Sequence, residues 1–226
     1  MDLKDTLNES LKSKFRRFKR AQTREECKYF PKDSGELKRI IYPRIKEDPE
    51  CDLNDIWVGD IEYMGYLFFG ITESTFNGDI SRWDVSSVKS MISMFQGSAF
   101  DGDISSWDVS NVDNMDSMFK NSHFKGDISF WDVSNVTNMY AMFYESEFDG
   151  DISSWDVSNV KDMSFMFARS AFNGDISSWN VKRVGKMVGM FERSAFKGDI
   201  SSWDVSKVYD MSRMFVSSPL KRKPPK

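Results

Sequence analysis

The chain has 226 residues, 40% of them hydrophobic and 15% aromatic, which supplies a sizeable core and excludes a globally disordered chain. Its net charge of −4 is uneven: residues 1–50 carry 14 Lys/Arg against 10 Asp/Glu, residues 51–215 carry 13 against 25, and residues 216–226 carry 4 against none. An acidic body argues against nucleic acid as a ligand of the repeats, because phosphate contacts need clustered cations. The absence of any run of roughly 18 apolar residues argues against a transmembrane helix.

Residues 1–21 read as a basic amphipathic helix or leader. Leu3, Leu7, Leu11, Phe15 and Phe18 form a helical stripe, with Lys12, Lys14, Arg16, Arg17, Lys19 and Arg20 on the other faces. Such a helix can dock to a partner or a membrane surface, or simply pack on the body that follows. The start Met1-Asp2-Leu3-Lys4-Asp5 has no signal-peptide run, so a cytoplasmic or virion-associated location is expected, with the cell surface reached only by unconventional export.

Residues 22–51 are expected to form a helical N-terminal cap. Asp33 or Ser34 is placed to cap a helix that turns Leu37, Ile40, Ile41 and Ile45 inward and ends at Asp48-Pro49. Pro43 should kink or divide it. Cys27 and Cys51 are the only cysteines, too few for a disulfide framework and without zinc-ligand spacing; two free thiols and a single bridge both fit.

Residues 52–220 are repetitive. Phe76-Asn77-Gly78-Asp79-Ile80-Ser81-Arg82-Trp83-Asp84-Val85 opens a phrase that returns every 24 residues, with tryptophans at 83, 107, 131, 155, 179 and 203. Six regular repeats run over 76–219. An irregular first turn over 52–75 carries Leu53, Ile56, Val58, Ile61, Met64, Leu67 and Phe68 at an offset of 27, with a longer loop expected around Ile71-Thr72-Glu73. The alternation at Trp83, Asp84, Val85 and Ser86 predicts a strand, and Val88, Met91, Met94 and Phe95 a short helical or 3-10 return. The turn glycines Gly78, Gly102 and their copies are expected to supply a backbone conformation that other residues resist. The predicted fold is therefore an α/β repeat solenoid, leucine-rich-repeat-like, of about seven turns, with a parallel β-sheet on one face, helical or 3-10 returns on the other and an α-helical N-terminal cap. A basic tail, 221–226, closes the chain.

Little points to catalysis. His123, the lone histidine, sits at a variable loop position and reads as a solvated side chain. No phosphate-cradling loop and no nucleophile with a base partner is evident, so no catalytic residue, cofactor or metal ligand is assigned. Asp79 and its copies are expected to bond backbone N–H groups of their own turn. Asp84, Asp108, Asp132, Asp156 and Asp204, interrupted by Asn180, should instead project from the sheet face as an acidic ladder. Sequence variation concentrates in two later columns, Ile92-Asp116-Tyr140-Ser164-Val188-Ser212 and Gln96-Lys120-Tyr144-Ala168-Glu192-Val216. Phe130, Tyr140, Tyr144 and Phe165 gather as aromatics in the middle repeats, either as exposed anchors for a protein partner or partly buried. The candidate partner-binding residues are thus that Asp column and these four aromatics.

The phrase Phe-Asn-Gly-Asp-Ile-Ser-x-Trp-Asp-Val-Ser-Asn-Val-x-x-Met-x-x-Met-Phe resembles the repeat of the BspA-like leucine-rich-repeat proteins, also known as domain-of-unknown-function family 285. The resemblance covers roughly residues 52–220, and Pro31 with Leu37 to Asp52 is similar to the helical segment that often precedes such arrays. It implies a binding scaffold without known catalytic activity; members include bacterial surface proteins implicated in adhesion, and related arrays occur in mycoplasmas and phages. A protein-binding scaffold, intracellular or phage-associated, is the expected function. A surface adhesin and a structural or virion-borne spacer are the alternatives.

Overall fold

A computed structural model of the chain describes residues 20–69 and 76–220. The stripe expected over residues 3–18, the loop expected around 71–73 and the basic tail lie outside the described residues.

One α-helix, α1, spans Ser34–Glu47. Asp33 caps it: the carboxylate accepts the Glu36 N–H at 2.8 Å, while Glu36 Oε2 accepts the Lys32 N–H at 3.0 Å. Leu37, Ile41 and Ile45, four residues apart, are fully buried in the apolar cluster that runs through the rest of the chain. Pro43 does not divide α1. Its ring forfeits a helix bond at a cost of about 3 kcal/mol, but Ile41 before it and Ile45 after it sink into the same cluster and hold the two halves in line.

Beyond α1 the described residues contain one 3-10 turn, Arg24–Glu26, and no strand. This corrects the predicted architecture. No parallel sheet, no helical return and no leucine-rich-repeat-like solenoid is seen; the repeats are built of loops and tight turns. At the expected strand, burial does alternate, with Trp107 and Val109 inside and Asp108 outside. The backbone there is nevertheless turned. Trp107 N–H bonds Ile104 O at 3.2 Å, Val112 N–H bonds Val109 O at 2.9 Å, and Asp108 Oδ1 accepts the Ser110 N–H at 3.0 Å. N–H groups that a strand would offer its neighbour are consumed locally. At the expected helical return, Met118 N–H bonds Met115 O, Lys120 N–H bonds Ser117 O and Ser122 N–H bonds Phe119 O, at 3.1–3.3 Å. These are overlapping four-residue turns. Ser117 and Asn121 sit at φ 56° and 53°, values an α-helix does not contain.

Successive turns nonetheless stack in register. Isolated parallel bridges join Ser90, Asn114, Asn138, Asp162, Lys186 and Asp210 in sequence, 24 residues apart, and Tyr63 joins Ser90 at an offset of 27. Beside the Asn114–Asn138 bridge four N–H groups cross to the next turn: Met115 to Asn138 O, Ser117 to Tyr140 O, Phe119 to Met142 O and Asn121 to Tyr144 O, at 2.7–3.0 Å. Inside, side chains repeat as columns. Phe95, Phe119, Phe143, Phe167 and Phe191 stack at 5.6–5.9 Å between ring centroids, and Phe100, Phe124, Phe148, Phe172 and Phe196 at 6.1–6.4 Å. Each of the six tryptophans of the regular repeats binds the turn before it, as Trp131 Nε1–H does to Ile104 O at 3.2 Å.

The turn glycines have a different reason from the expected one. Among the described residues positive φ at glycine is confined to Gly97 and Gly189. At Gly102 the constraint is space: a Cβ there would lie 2.7 Å from the Phe100 ring, which folds back over the turn.

Candidate functional site

The acidic column is present at the surface but does not stand free on a sheet. Asp84, Asp108, Asp132, Asp156 and Asp204 each accept the N–H of the serine two residues on, at 3.0–3.1 Å, and Asn180 does the same for Lys182 at 3.3 Å. The Ser134 hydroxyl and N–H hold the Asp132 carboxyl below its ordinary range, and Ser206 does so for Asp204. The Asp79 column behaves identically: Asp103, Asp127, Asp151, Asp175 and Asp199 accept from Ser105, Ser129, Ser153, Ser177 and Ser201 at 2.8–3.1 Å. Both columns shape turns. Among the described residues no group of three or more His, Cys, Asp or Glu is arranged to hold a metal ion. His123 is exposed, with Nδ1 2.7 Å from Glu147 Oε1 of the next turn. Cys27 and Cys51 are free thiols, each pushed up first of all by burial.

The aromatics divide. Tyr140 and Phe165, on adjacent turns, meet edge to face with centroids 5.9 Å apart at 75°. The Tyr144 ring lies under Lys120 Nζ at 5.2 Å. Phe130 is 55% exposed but occupies the column of Arg82, Ser106 and Ser154, ten residues before Tyr140. Burial above all, and then the charges of Asp116, Asp162 and Tyr144, push the Tyr140 phenol up.

Phe165 has an unusual seat. Its φ is +59°, in the left-handed region that bulky side chains avoid. The whole column shares this conformation: Tyr66, Ser93, Ser117, Ala141, Gly189 and Arg213 have φ between 51° and 64°. Gly189, on the following turn, makes room for the ring, since a Cβ there would come within 2.5 Å of Phe165 Cε1. The phenylalanine thus lies across the backbone of its neighbour while remaining half-exposed.

The same face holds aromatics that were not singled out. The first turn places Tyr66 in the Phe165 column, with its N–H on Ile92 O at 2.8 Å, and Phe69 in the Tyr144 column. Both are exposed and pack edge to face at 5.6 Å. The signal was available: subtracting the 27-residue offset from Ser93 and Gln96 lands on Tyr66 and Phe69. Along this face Tyr66 and Phe69 lie four turns before Phe165.

The family described as "Mycoplasma protein of unknown function, DUF285" matches residues 44–147 and again residues 120–223. The chain belongs to that family. The two matches cover both halves of the array; Tyr140, Tyr144 and Phe165 are not among the residues that recur in every turn. No curated protein and no solved structure matches the chain. Among the described residues no helix is long and apolar enough to cross a membrane.

Proposed function

We propose that this DUF285 protein is a non-catalytic scaffold that binds a protein partner through the face bearing Tyr140, Phe165 and Tyr144, with Tyr66 and Phe69 as a second contact. The observation that carries this reading is the Tyr140–Phe165 pair, an exposed tyrosine meeting a partly buried phenylalanine that is held in a left-handed backbone seat above Gly189. In the middle turns of the face the backbone N–H groups are spent either on the next turn, as Ala141 on Ser164 O, or within their own turn, as Tyr144 on Ala141 O and Tyr140 on Asn138 Oδ1, so a partner is recognised by side chains. Aromatics seated on such a fixed frame lose little entropy on binding and are the usual energetic centre of an interface. The sequence resemblance to BspA-like binding arrays agrees with this assignment.

The test compares the chain with its Tyr140→Ala/Phe165→Ala form as bait in extracts of the source cell, after both are shown to melt at the same temperature. A specific partner retained by the parent should be lost, with affinity falling roughly 30-fold or more. Equal retention of that partner by both forms would reject the aromatic face as the site.

A further inference from the structure

Three rings near the surface carry a cation supplied by the chain itself. Arg24 lies over Phe30 at 5.4 Å while its Nη1 pairs with Asp60 at 2.6 Å, and Arg44 lies over Tyr29 at 5.6 Å while pairing with Asp55 at 2.7 Å. Lys120 lies over Tyr144 at 5.2 Å. In the first two, a ring and a carboxylate hold one guanidinium between them: the negative face of the ring and the carboxylate both attract it, and its flat fork serves both at once.

Tyr140 has the same two ingredients. Asp116 stands one turn before it in its own column, and the Ser117 N–H that follows bonds Tyr140 O at 2.8 Å. Asp162 stands one turn after it, where Met139 N–H bonds Asp162 O at 3.0 Å. Both carboxylates are near enough to act on the Tyr140 phenol. Each is also oriented: Asp116 Oδ1 accepts the Ser117 hydroxyl at 2.7 Å, and Asp162 Oδ1 accepts the Ser164 N–H at 2.8 Å. The cation differs. Among the described residues no Lys or Arg lies over Tyr140 and none pairs with Asp116, while Lys186 comes only to 4.0 Å of Asp162, from the turn beyond.

Resting on the aromatic face proposed above, we infer that the Tyr140 ring, flanked by Asp116 and Asp162, is the seat for an arginine or lysine side chain presented by a basic segment of the protein partner. Charge complementarity selects this occupant. An acidic segment would meet two carboxylates of its own sign, and a wholly apolar one would strip them of water without replacing it. The body around the site, with 13 Lys/Arg against 25 Asp/Glu over residues 51–215, draws a basic segment toward it. Phe165, edge to face with Tyr140, offers apolar surface beside the seat for the aliphatic stem of the incoming side chain.

The probes are the blocked peptide Gly-Ala-Arg-Ala-Gly and its citrulline counterpart, which keeps the shape of arginine and loses the charge. Each is titrated at millimolar concentration into the isotope-labelled intact chain and followed by nuclear magnetic resonance. The arginine peptide is expected to shift the amide signals of Asp116, Tyr140 and Asp162 ahead of those of Asp132 and Asp156, and the citrulline peptide to shift none of them. Tyr140→Leu, which keeps apolar bulk without a ring, and Asp116→Asn, which keeps the acceptor for Ser117, should each weaken binding about tenfold. Asp132→Asn removes the same charge from the other column and should change it less than about twofold. No response to the arginine peptide, equal shifts at both aspartate columns, or an equal response to citrulline would overturn the inference. Its failure is separable from that of the aromatic face: a partner lost by the Tyr140→Ala/Phe165→Ala form but kept by an Asp116→Asn/Asp162→Asn form would leave the face standing and remove the cationic seat.

Discussion

At the scale of single residues, two kinds of glycine position must be kept apart. Gly126 has ordinary φ and is confined by the ring two residues earlier: a Cβ would stand 2.7 Å from Phe124. Gly126→Ala should therefore destabilise by about 1–3 kcal/mol through overpacking, read as a lower denaturation midpoint. Arg193 is the opposite case, an exposed side chain at φ 54° where the first regular repeat has Gly97 at φ 68°. Arg193→Gly should stabilise by about 0.5–1 kcal/mol by relieving left-handed strain, seen as a raised midpoint in the same titration. The aspartates make a third residue-scale statement. Asp132, Asp151, Asp175, Asp199, Asp204 and Asp210 all have carboxyls lowered by serine hydroxyl and N–H donors. A folded value below the unfolded one means that the stability is fully present above the unfolded pKa of about 3.9 and is lost as pH falls through the folded values. Midpoints should be level from pH 7 to about 5 and drop below about 4. Asp132→Asn, which keeps an acceptor as Asn180 does naturally, should leave neutral stability intact and lessen the drop.

At the scale of the element, burial was legible from the residues and backbone was not. The recurring apolar positions Ile104, Trp107, Val109, Val112, Met115, Met118 and Phe119 are all buried. Period-two alternation and helical spacing report which way side chains point, and tight turns generate the same directions. What separates a strand from a turn here is who takes each N–H. Asp108 takes that of Ser110, Asn114 that of Asp116 at 3.0 Å, and the left-handed residues aim theirs at the next turn. Left-handed φ at Ser117 or Ala141 left no mark in composition, because a neighbour two turns on can be Phe or Gly at the same place. The acidic column's period is real, and its carboxylates are exposed while accepting from serines of their own turns. The indole bonds test how far side chains tie one turn to another. Trp131→Phe keeps most of the apolar area and deletes the bond to Ile104 O, which retains the Trp107 N–H. A loss of about 1–2 kcal/mol is expected, with an unchanged dependence on denaturant.

For the molecule as a whole, the decisive property is that each turn touches only its neighbours, so stability is a sum of turn and junction contributions. Position along the stack should then matter more than residue type. Phe143 lies between Phe119 at 5.7 Å and Phe167 at 5.8 Å and also meets Phe148 at 4.6 Å. Among the described residues Phe215 has one ring neighbour, Phe191 at 6.2 Å, and it is partly exposed. Phe143→Ala should cost about 3–5 kcal/mol and, because it weakens two junctions at once, should split denaturant unfolding into two steps as the halves uncouple. Phe215→Ala should cost less than half as much and leave a single step, since only the terminal turn frays. Tryptophan fluorescence reads the difference, with Trp107 in one half and Trp179 in the other: in the Phe143 variant the two should report separate midpoints when each is kept as the sole emitter of its half. Equal costs at the two positions, or a single transition in both variants, would mean that the stack folds as one indivisible unit and that its turns are coupled well beyond their nearest neighbours.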